Sequence, residues 1–314
     1  MSFTVSLRAI VPYITVMSEC NGHIEPDDNG ISDSAGIDSL RLKKSSRWSP
    51  LSRHGRNLLK KMNKTVRSHN LFDDGDRICV AVSGGKDSLT LLHLMLEYRR
   101  FYPIDFTVDA VHVVSDFNPH AAEIREYLES MFRSLGIGYA LIDVEVTVGK
   151  DGKRCDPSCF WCSWKRREVL FRHTADNGFS KLALGHHFDD VAETTLLNLI
   201  YHGSLETILP TRQFFEGAFD LIRPLFHIRE REMVRYAALA GFESTRCVCP
   251  FNDLGKRQVM KRFLRDLSKE SKLLHSNLWG AAWKWHEAFG DEPLHTQRAN
   301  RGGPPDPRKK KRGQ

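Results

Sequence analysis

No stretch of the 314-residue chain is apolar enough and long enough to cross a membrane. The opening run, Met1 to Met17, is interrupted by Arg8 and Pro12. It lacks a basic start, a long apolar centre and a small-residue cleavage site, so no secretory signal is expected and the chain reads as cytoplasmic. No period repeats along it, which excludes a solenoid. The Walker template G-x-x-x-x-G-K-S/T is missing as well. The only glycines just before Lys86 are the adjacent pair Gly84 and Gly85, which excludes a P-loop kinase or GTPase. Without a secretion signal, the seven cysteines, at 20, 79, 155, 159, 162, 247 and 249, argue against a disulfide framework and for thiolate chemistry or a metal.

What is present centres on Arg77 to Leu96. Ile78, Val80 and Val82 belong to a β-branched apolar run too short for a helix, whereas Leu89, Leu92 and Leu96 recur at helical spacing. Between them lies Ser83-Gly84-Gly85-Lys86-Asp87-Ser88. Two glycines let the backbone turn and present its N–H groups, and the following helix points its positive end at the same place. Lys86 adds a mobile charge, and Ser83 and Ser88 add hydroxyl donors. Asp87 beside phosphates makes sense if a magnesium ion bridges them. The hexamer is a phosphate cradle that resembles the S-G-G-x-D-S signature of the PP-loop ATP pyrophosphatases, which adenylate their substrates.

Further strands are expected over Phe106–Val114, Tyr139–Val146, Lys181–Gly185 and Leu221–Phe226, alternating with helices. That order implies an α/β fold with a doubly wound parallel sheet and ligands at the strands' carboxyl ends. The rule selects the 83–88 loop, the strand end near His112, and Gly185-His186-His187-Phe188-Asp189-Asp190, where imidazoles and carboxylates meet a helix start. With 41% hydrophobic residues, the chain suits one main domain with appendages. Residues 1–48 read as an unstructured leader and 49–245 as the nucleotide-using domain. Residues 246–295 read as a small helical extension with the late cysteines, and 296–314 as a disordered basic tail. A basic amphipathic helix is expected from Ser49 to His69. Another, from Lys256 to Leu267, would bury Met260, Phe263, Leu264 and Leu267 and offer its basic face to RNA.

The cysteine spacing leaves three possibilities open. Cys159, Cys162, Cys247 and Cys249 could close a zinc site. Cys155-x3-Cys159-x2-Cys162 has the spacing of the radical SAM signature. Three thiolates could hold an iron-sulfur cluster with one iron open. Cys79 and Cys20 read as ordinary residues.

Taken together, Cys159-x-x-Cys162 before Lys165-Arg166-Arg167, then Ala183-Leu-Gly-His-His-Phe-Asp-Asp190, Arg223-Pro-Leu, a late cysteine and Lys256-Arg-Gln-Val-Met-Lys-Arg-Phe-Leu-Arg-Asp-Leu267 resemble the tRNA 2-thiocytidine synthetase family in order and spacing. The match runs over roughly residues 55 to 270. The resemblance implies a 4Fe-4S cluster on Cys159, Cys162 and one late cysteine. Counting back from Arg257-Gln258-Val259, that ligand falls on Cys249, and Arg246 stands where the family has another cysteine. It also implies ATP and Mg2+ held by Ser83 to Ser88, with adenine near the backbone of His112 and Val113 and with Gly185 lining the site. Lys86 with Lys165 or Arg166 would steady the leaving pyrophosphate, and Asp190 would serve metal or acid-base work. The implied reaction adenylates and then thiolates C2 of cytidine 32 in the anticodon loop. Its partners would be tRNA and a cysteine desulfurase as sulfur donor; no membrane is involved, and a homodimer is compatible. The rivals are a 2-thiouridine synthetase, a lysidine-synthetase-like ligase and a zinc-stabilised module that binds ATP and RNA.

Overall fold

The computed structural model describes residues 51–148, 159–242 and 256–290. The leader, Cys155, Cys247, Cys249 and the tail lie outside them, as do the side chains of Cys159 and Phe160. Strands β1 (Arg77–Ala81), β2 (Thr107–Ser115), β3 (Gly138–Val144), β4 (Lys181–Ala183), β5 (Thr211–Phe214) and β6 (Phe219–Ile222) form one sheet in the order β3-β2-β1-β4-β6-β5. All neighbours pair in parallel except β5 with β6. The connecting helices are α1 (Arg53–His69), α2 (Lys86–Phe101), α3 (Ala121–Leu135), α4 (Cys159–Asp176), α5 (Phe188–His202) and α6 (Glu230–Ala240).

Both faces of the sheet are covered. Ile78 and Val80 of β1 and Val108 and Ala110 of β2 pack with Leu89 and Leu92 of α2, Leu58 and Met62 of α1, Leu128 of α3 and Tyr236 of α6. The alternate residues, Cys79, Val111, Leu182 and Leu221, meet Phe171 of α4 on the other side. Period-two alternation feeding two helical layers is the doubly wound arrangement expected from the sequence. Residues 51–148, 159–190 and 209–242 belong to one compact unit. The second unit takes 191–208 with α7 (Lys256–Glu270) and α8 (Leu274–Phe289).

Three expectations need correcting. The last parallel strand is Phe219–Ile222, not Leu221–Phe226: Pro224 offers no N–H to a ladder, and the chain turns there, Phe226 N–H donating to Arg223 O at 3.1 Å. The antiparallel edge strand β5 is not expected from the sequence. On α7, Met260 and Leu264 are buried against Ala192 and Leu196, but Phe263 is 47% exposed and Leu267 half-buried, so the apolar stripe is narrower than the periodicity suggests. The first amphipathic helix starts at Arg53, with the Ser52 hydroxyl accepting from Gly55 N–H at 3.1 Å as its cap.

Candidate nucleotide-activating site

The strand order reverses between β1 and β4, and in an open α/β sheet the crevice outside the carboxyl ends of two such strands is where ligands sit. Both motif loops open there. The first, 83–88, is braced by its own hydroxyls. Ser83 N–H donates to Ser88 Oγ at 3.1 Å, Gly85 N–H to Ser83 Oγ at 3.3 Å, and Ser88 Oγ to Gly85 O at 2.9 Å. Gly84 takes φ +84°, the left-handed region a glycine adopts without penalty. The N-cap of α2 is Gly85, with no side-chain cap, and the positive end of that helix starts directly at the loop.

The second loop leans directly on the first. A Cβ built on Gly185 would stand 3.2 Å from Asp87 C, Asp87 O and Ser88 N. His187 N–H donates to Asp190 Oδ2 at 3.0 Å, and Asp190 N–H returns to His187 Nδ1 at 3.3 Å. Asp189 turns instead to α6. It accepts from Arg229 Nε and an Arg229 terminal nitrogen at 3.0 to 3.2 Å, and from Glu230 N–H at 2.7 Å. Glu230 in turn holds Lys86: Lys86 Nζ donates to Glu230 Oε1 at 3.1 Å and to Asp87 Oδ2 at 3.0 Å. Burial opposes the Lys86 charge, but Asp87 and Glu230 outweigh it and raise the ammonium above its ordinary pKa.

His112 lies in β2 with its ring buried, Nδ1–H donating to Val82 O at 2.7 Å. Burial pushes its pKa down. The bond to Val82 opposes this, while the Arg166 and Arg125 charges add to it. Val113, the next residue, is buried with Val144 and Val146, and half-buried Cys162 packs against that cluster. Lys165 takes another side of α4, its Nζ 5.0 Å from the ring centre of Trp161 and 5.9 Å from that of Trp164. It lines a cavity of about 360 Å³ with Asp143, Glu145, Glu168 and Arg172.

The structure therefore brings Ser83 to Ser88 against Gly185 in the loop that carries Asp190, ties His112 to Val82, sets Val113 and Cys162 in one apolar cluster, and places Lys165 at the 360 Å³ cavity. Cys249 lies outside the described residues. Sequence reasoning gives no role to Glu230 or Arg229, and only a place within a motif to Arg223 and Arg167. Only the fold shows Glu230 facing Lys86.

The cradle fits a nucleotide with its metal. Asp87 Oδ1 is buried and has no hydrogen-bond partner among the described residues, as suits a carboxylate oxygen reserved for a cation. Among those residues no three His, Cys, Asp or Glu side chains converge into a metal cage.

The sequence profile of the PP-loop domain matches residues 54–245, so the fold and its two loops define a PP-loop protein. Within that class the chain belongs to the tRNA-cytidine(32) 2-sulfurtransferase family. It is 36% identical over 230 residues to the tRNA-cytidine(32) 2-sulfurtransferase of Syntrophotalea carbinolica, covering 72% of this chain and 88% of that one. Its identity to the Geobacter metallireducens protein of the same name is 36% over 215 residues, 67% of this chain and 80% of that one. Among solved structures, the U34-tRNA thiolase NcsA from Methanococcus maripaludis, determined with its 4Fe-4S cluster, shares the fold at TM-score 0.64 and 21% identity, over 77% of this chain and 81% of that one.

Proposed function

We propose that the protein is an ATP-dependent tRNA thiolase. It first transfers the adenylyl group of ATP to the C2 oxygen of cytidine 32 in the anticodon loop, releasing pyrophosphate. It then replaces that activated oxygen by sulfur: hydrosulfide adds at C2, the C2–O bond breaks, AMP leaves, and the displaced proton passes to a base or to water. The observation that supports this most is the meeting of two loops at the switch point, where Gly185 lies against Asp87 and Ser88. The phosphate cradle there adjoins the loop that carries the Asp190 carboxylate.

In this reading residues 83–88 hold the triphosphate and Asp87 its magnesium. Lys86, released from Glu230 by the arriving phosphates, neutralises charge on the departing pyrophosphate. Arg166 assists from α4, and adenine lies along the backbone of His112 and Val113. Asp190 acts in proton transfer or on the metal. A 4Fe-4S cluster would be held by Cys159, Cys162 and Cys249, a donor set of soft thiolates that fits iron-sulfur chemistry, and it would supply a site for bound hydrosulfide. The half-buried, apolar setting of Cys162 suits a group kept from bulk water. Sulfur would come from a cysteine desulfurase, and the enzyme would work in the cytoplasm.

The test is nucleoside analysis by mass spectrometry of unmodified tRNA incubated anaerobically with the purified, iron-loaded protein, Mg-ATP and sulfide. We expect 2-thiocytidine together with AMP and pyrophosphate. Formation of 2-thiouridine alone, or ATP turnover with an amine ligated at C2, would move the protein to a sister activity. A colourless protein carrying stoichiometric zinc would argue for a binding module.

A further inference from the structure

Lys86 and Glu230 are the first residues of α2 and α6, two helices that pack on one another, with the Tyr236 hydroxyl 2.9 Å from His93 Nδ1. At their N-terminal ends the Lys86 ammonium lies between two carboxylates, 3.0 Å from Asp87 Oδ2 and 3.1 Å from Glu230 Oε1. All three side chains are half-buried, so their charges act on one another with less screening than at an open surface.

An acid in the first turn favours any helix, but the start of α6 is already held by other groups. Glu230 N–H donates to Asp189 Oδ2 at 2.7 Å, Arg229 Nε donates to the Asp189 carboxylate at 3.2 Å, and Arg229 N–H donates to Glu232 Oε2 at 3.2 Å. Lys61 Nζ in turn donates to Glu232 Oε1 at 2.7 Å. The backbone of Glu230 is thus pinned by the 185–190 loop, and its carboxylate reaches across to the phosphate loop.

Asp87 faces two cations. Lys86 takes Oδ2, while Oδ1 is buried without a hydrogen-bond partner among the described residues and suits a metal. An ammonium and a metal ion on one carboxylate repel each other and divide its charge. A second carboxylate 3.1 Å from the ammonium relieves that conflict, because the lysine keeps an anionic partner when the metal draws on Asp87.

We propose that Glu230 is a positioning residue that draws the Lys86 ammonium off Asp87, leaving that carboxylate to the metal ion that enters with the nucleotide. Resting on the thiolase reading above, this gives α6 a part in loading the site. The loop that abuts the cradle at Gly185 also fixes, through Asp189, the residue that clears the metal ligand. Without the Glu230 charge, Lys86 leans on Asp87 and the metal meets a carboxylate already neutralised. The phosphates, by contrast, no longer compete with Glu230 for the lysine. These two effects differ in sign, which separates positioning from damage to the fold.

The experiment uses the full-length, iron-loaded protein and two probes. One is Mn2+ in place of Mg2+, read by its electron paramagnetic resonance signal in the presence of a saturating non-hydrolysable ATP analogue; the other is that analogue without metal. With Glu230→Gln we expect Mn2+ affinity to fall about tenfold, as suits loss of a nearby unit charge in a half-buried site, whereas affinity for the metal-free analogue should hold or rise. In a Lys86→Gln background the same substitution should cost little Mn2+ affinity, since Glu230 acts through the lysine. If melting shows that Glu230→Gln does not fold, Glu230→Asp, which keeps the charge but withdraws it from Lys86 by one methylene, carries the same signs. Equal Mn2+ affinity in wild type and variant would overturn the proposal and leave the thiolase reading intact. Weaker binding of both probes would overturn it too, as would a Mn2+ loss that persisted without Lys86, because Glu230 would then act on the cradle or the metal directly. A wild-type protein that bound neither probe would remove the nucleotide site, and the thiolase reading with it.

Discussion

At Gly185 the missing side chain is the functional feature, because it lets the second loop touch the backbone of Asp87 and Ser88. A methyl group there would meet those backbone atoms at 3.2 Å, and backbone on both sides leaves no flexible group to yield. Gly185→Ala should therefore shift the phosphate cradle by a few tenths of an ångström while leaving the packed layers alone. We expect kcat/KM for ATP to fall about tenfold, since catalysis is steep in the placement of reacting groups, with a melting temperature within a degree or two of wild type. A variant with normal ATP kinetics would show that the two loops work independently. Gly84, Gly85, Ser83, Ser88 and Asp87 were legible in the sequence because each residue type answers one physical need of a phosphate cradle. The role of Glu230 was not, since a charged residue reads the same whether it faces water or, as Glu230 does, a lysine 144 positions away.

Among the elements, the strands flanked by helices could be read because β-branched runs such as Ile78 to Val82 and Val111 to Val114 carry a period no helix shares. β5 could not: Thr211-Arg-Gln-Phe214 has no alternating apolar face, and it becomes a strand only because β6 lies beside it to accept its pairing. The helix layer of α1, α2 and α6 also holds a titration hidden from sequence. Between α2 and α6, His93 Nδ1 and the Tyr236 hydroxyl stand 2.9 Å apart, and burial, helped by the Arg100 charge, pushes His93 to about 4. His227, stacked on His69, is lowered to about 4 chiefly by burial. Both are neutral when folded, while the unfolded chain takes up their protons below the ordinary value of 6.5. Their contribution to stability is thus fully present above that pH and is lost as pH falls toward 4. For His93 alone the slope in that window is up to about 1.4 kcal/mol per pH unit. We expect the melting temperature to drop between pH 7 and pH 5, and a His93→Gln variant, which keeps a polar partner for Tyr236 but cannot titrate, to lose less over the same interval. Parallel pH curves for the two proteins would contradict the assignment.

For the molecule as a whole, the charge is concentrated at one end of the sequence. The net charge is +7, and residues 301–314 hold six basic residues against Asp306, a net +5, so the remaining 300 residues carry only +2. On the proposed reading, long-range attraction to a polyanion would fall largely to the tail, whereas selection of one nucleotide would fall to side chains fixed in the fold. These two roles respond differently to salt. Removing residues 301–314 should weaken tRNA binding several-fold at low ionic strength and lower the salt slope, and the two binding curves should converge as salt rises and screens the arm. Turnover at saturating tRNA, KM for ATP and the identity of the thionucleoside should all stay as in the full chain, because none of the groups at the switch point is touched. If the shortened protein bound tRNA equally well at low salt, attraction would have to come from the folded part, with the exposed basic side chains of α7, such as Arg262 and Arg265, the first place to look. If instead it lost turnover at saturating tRNA, the tail would belong to the site itself, and recruitment and positioning would no longer be separable in this chain.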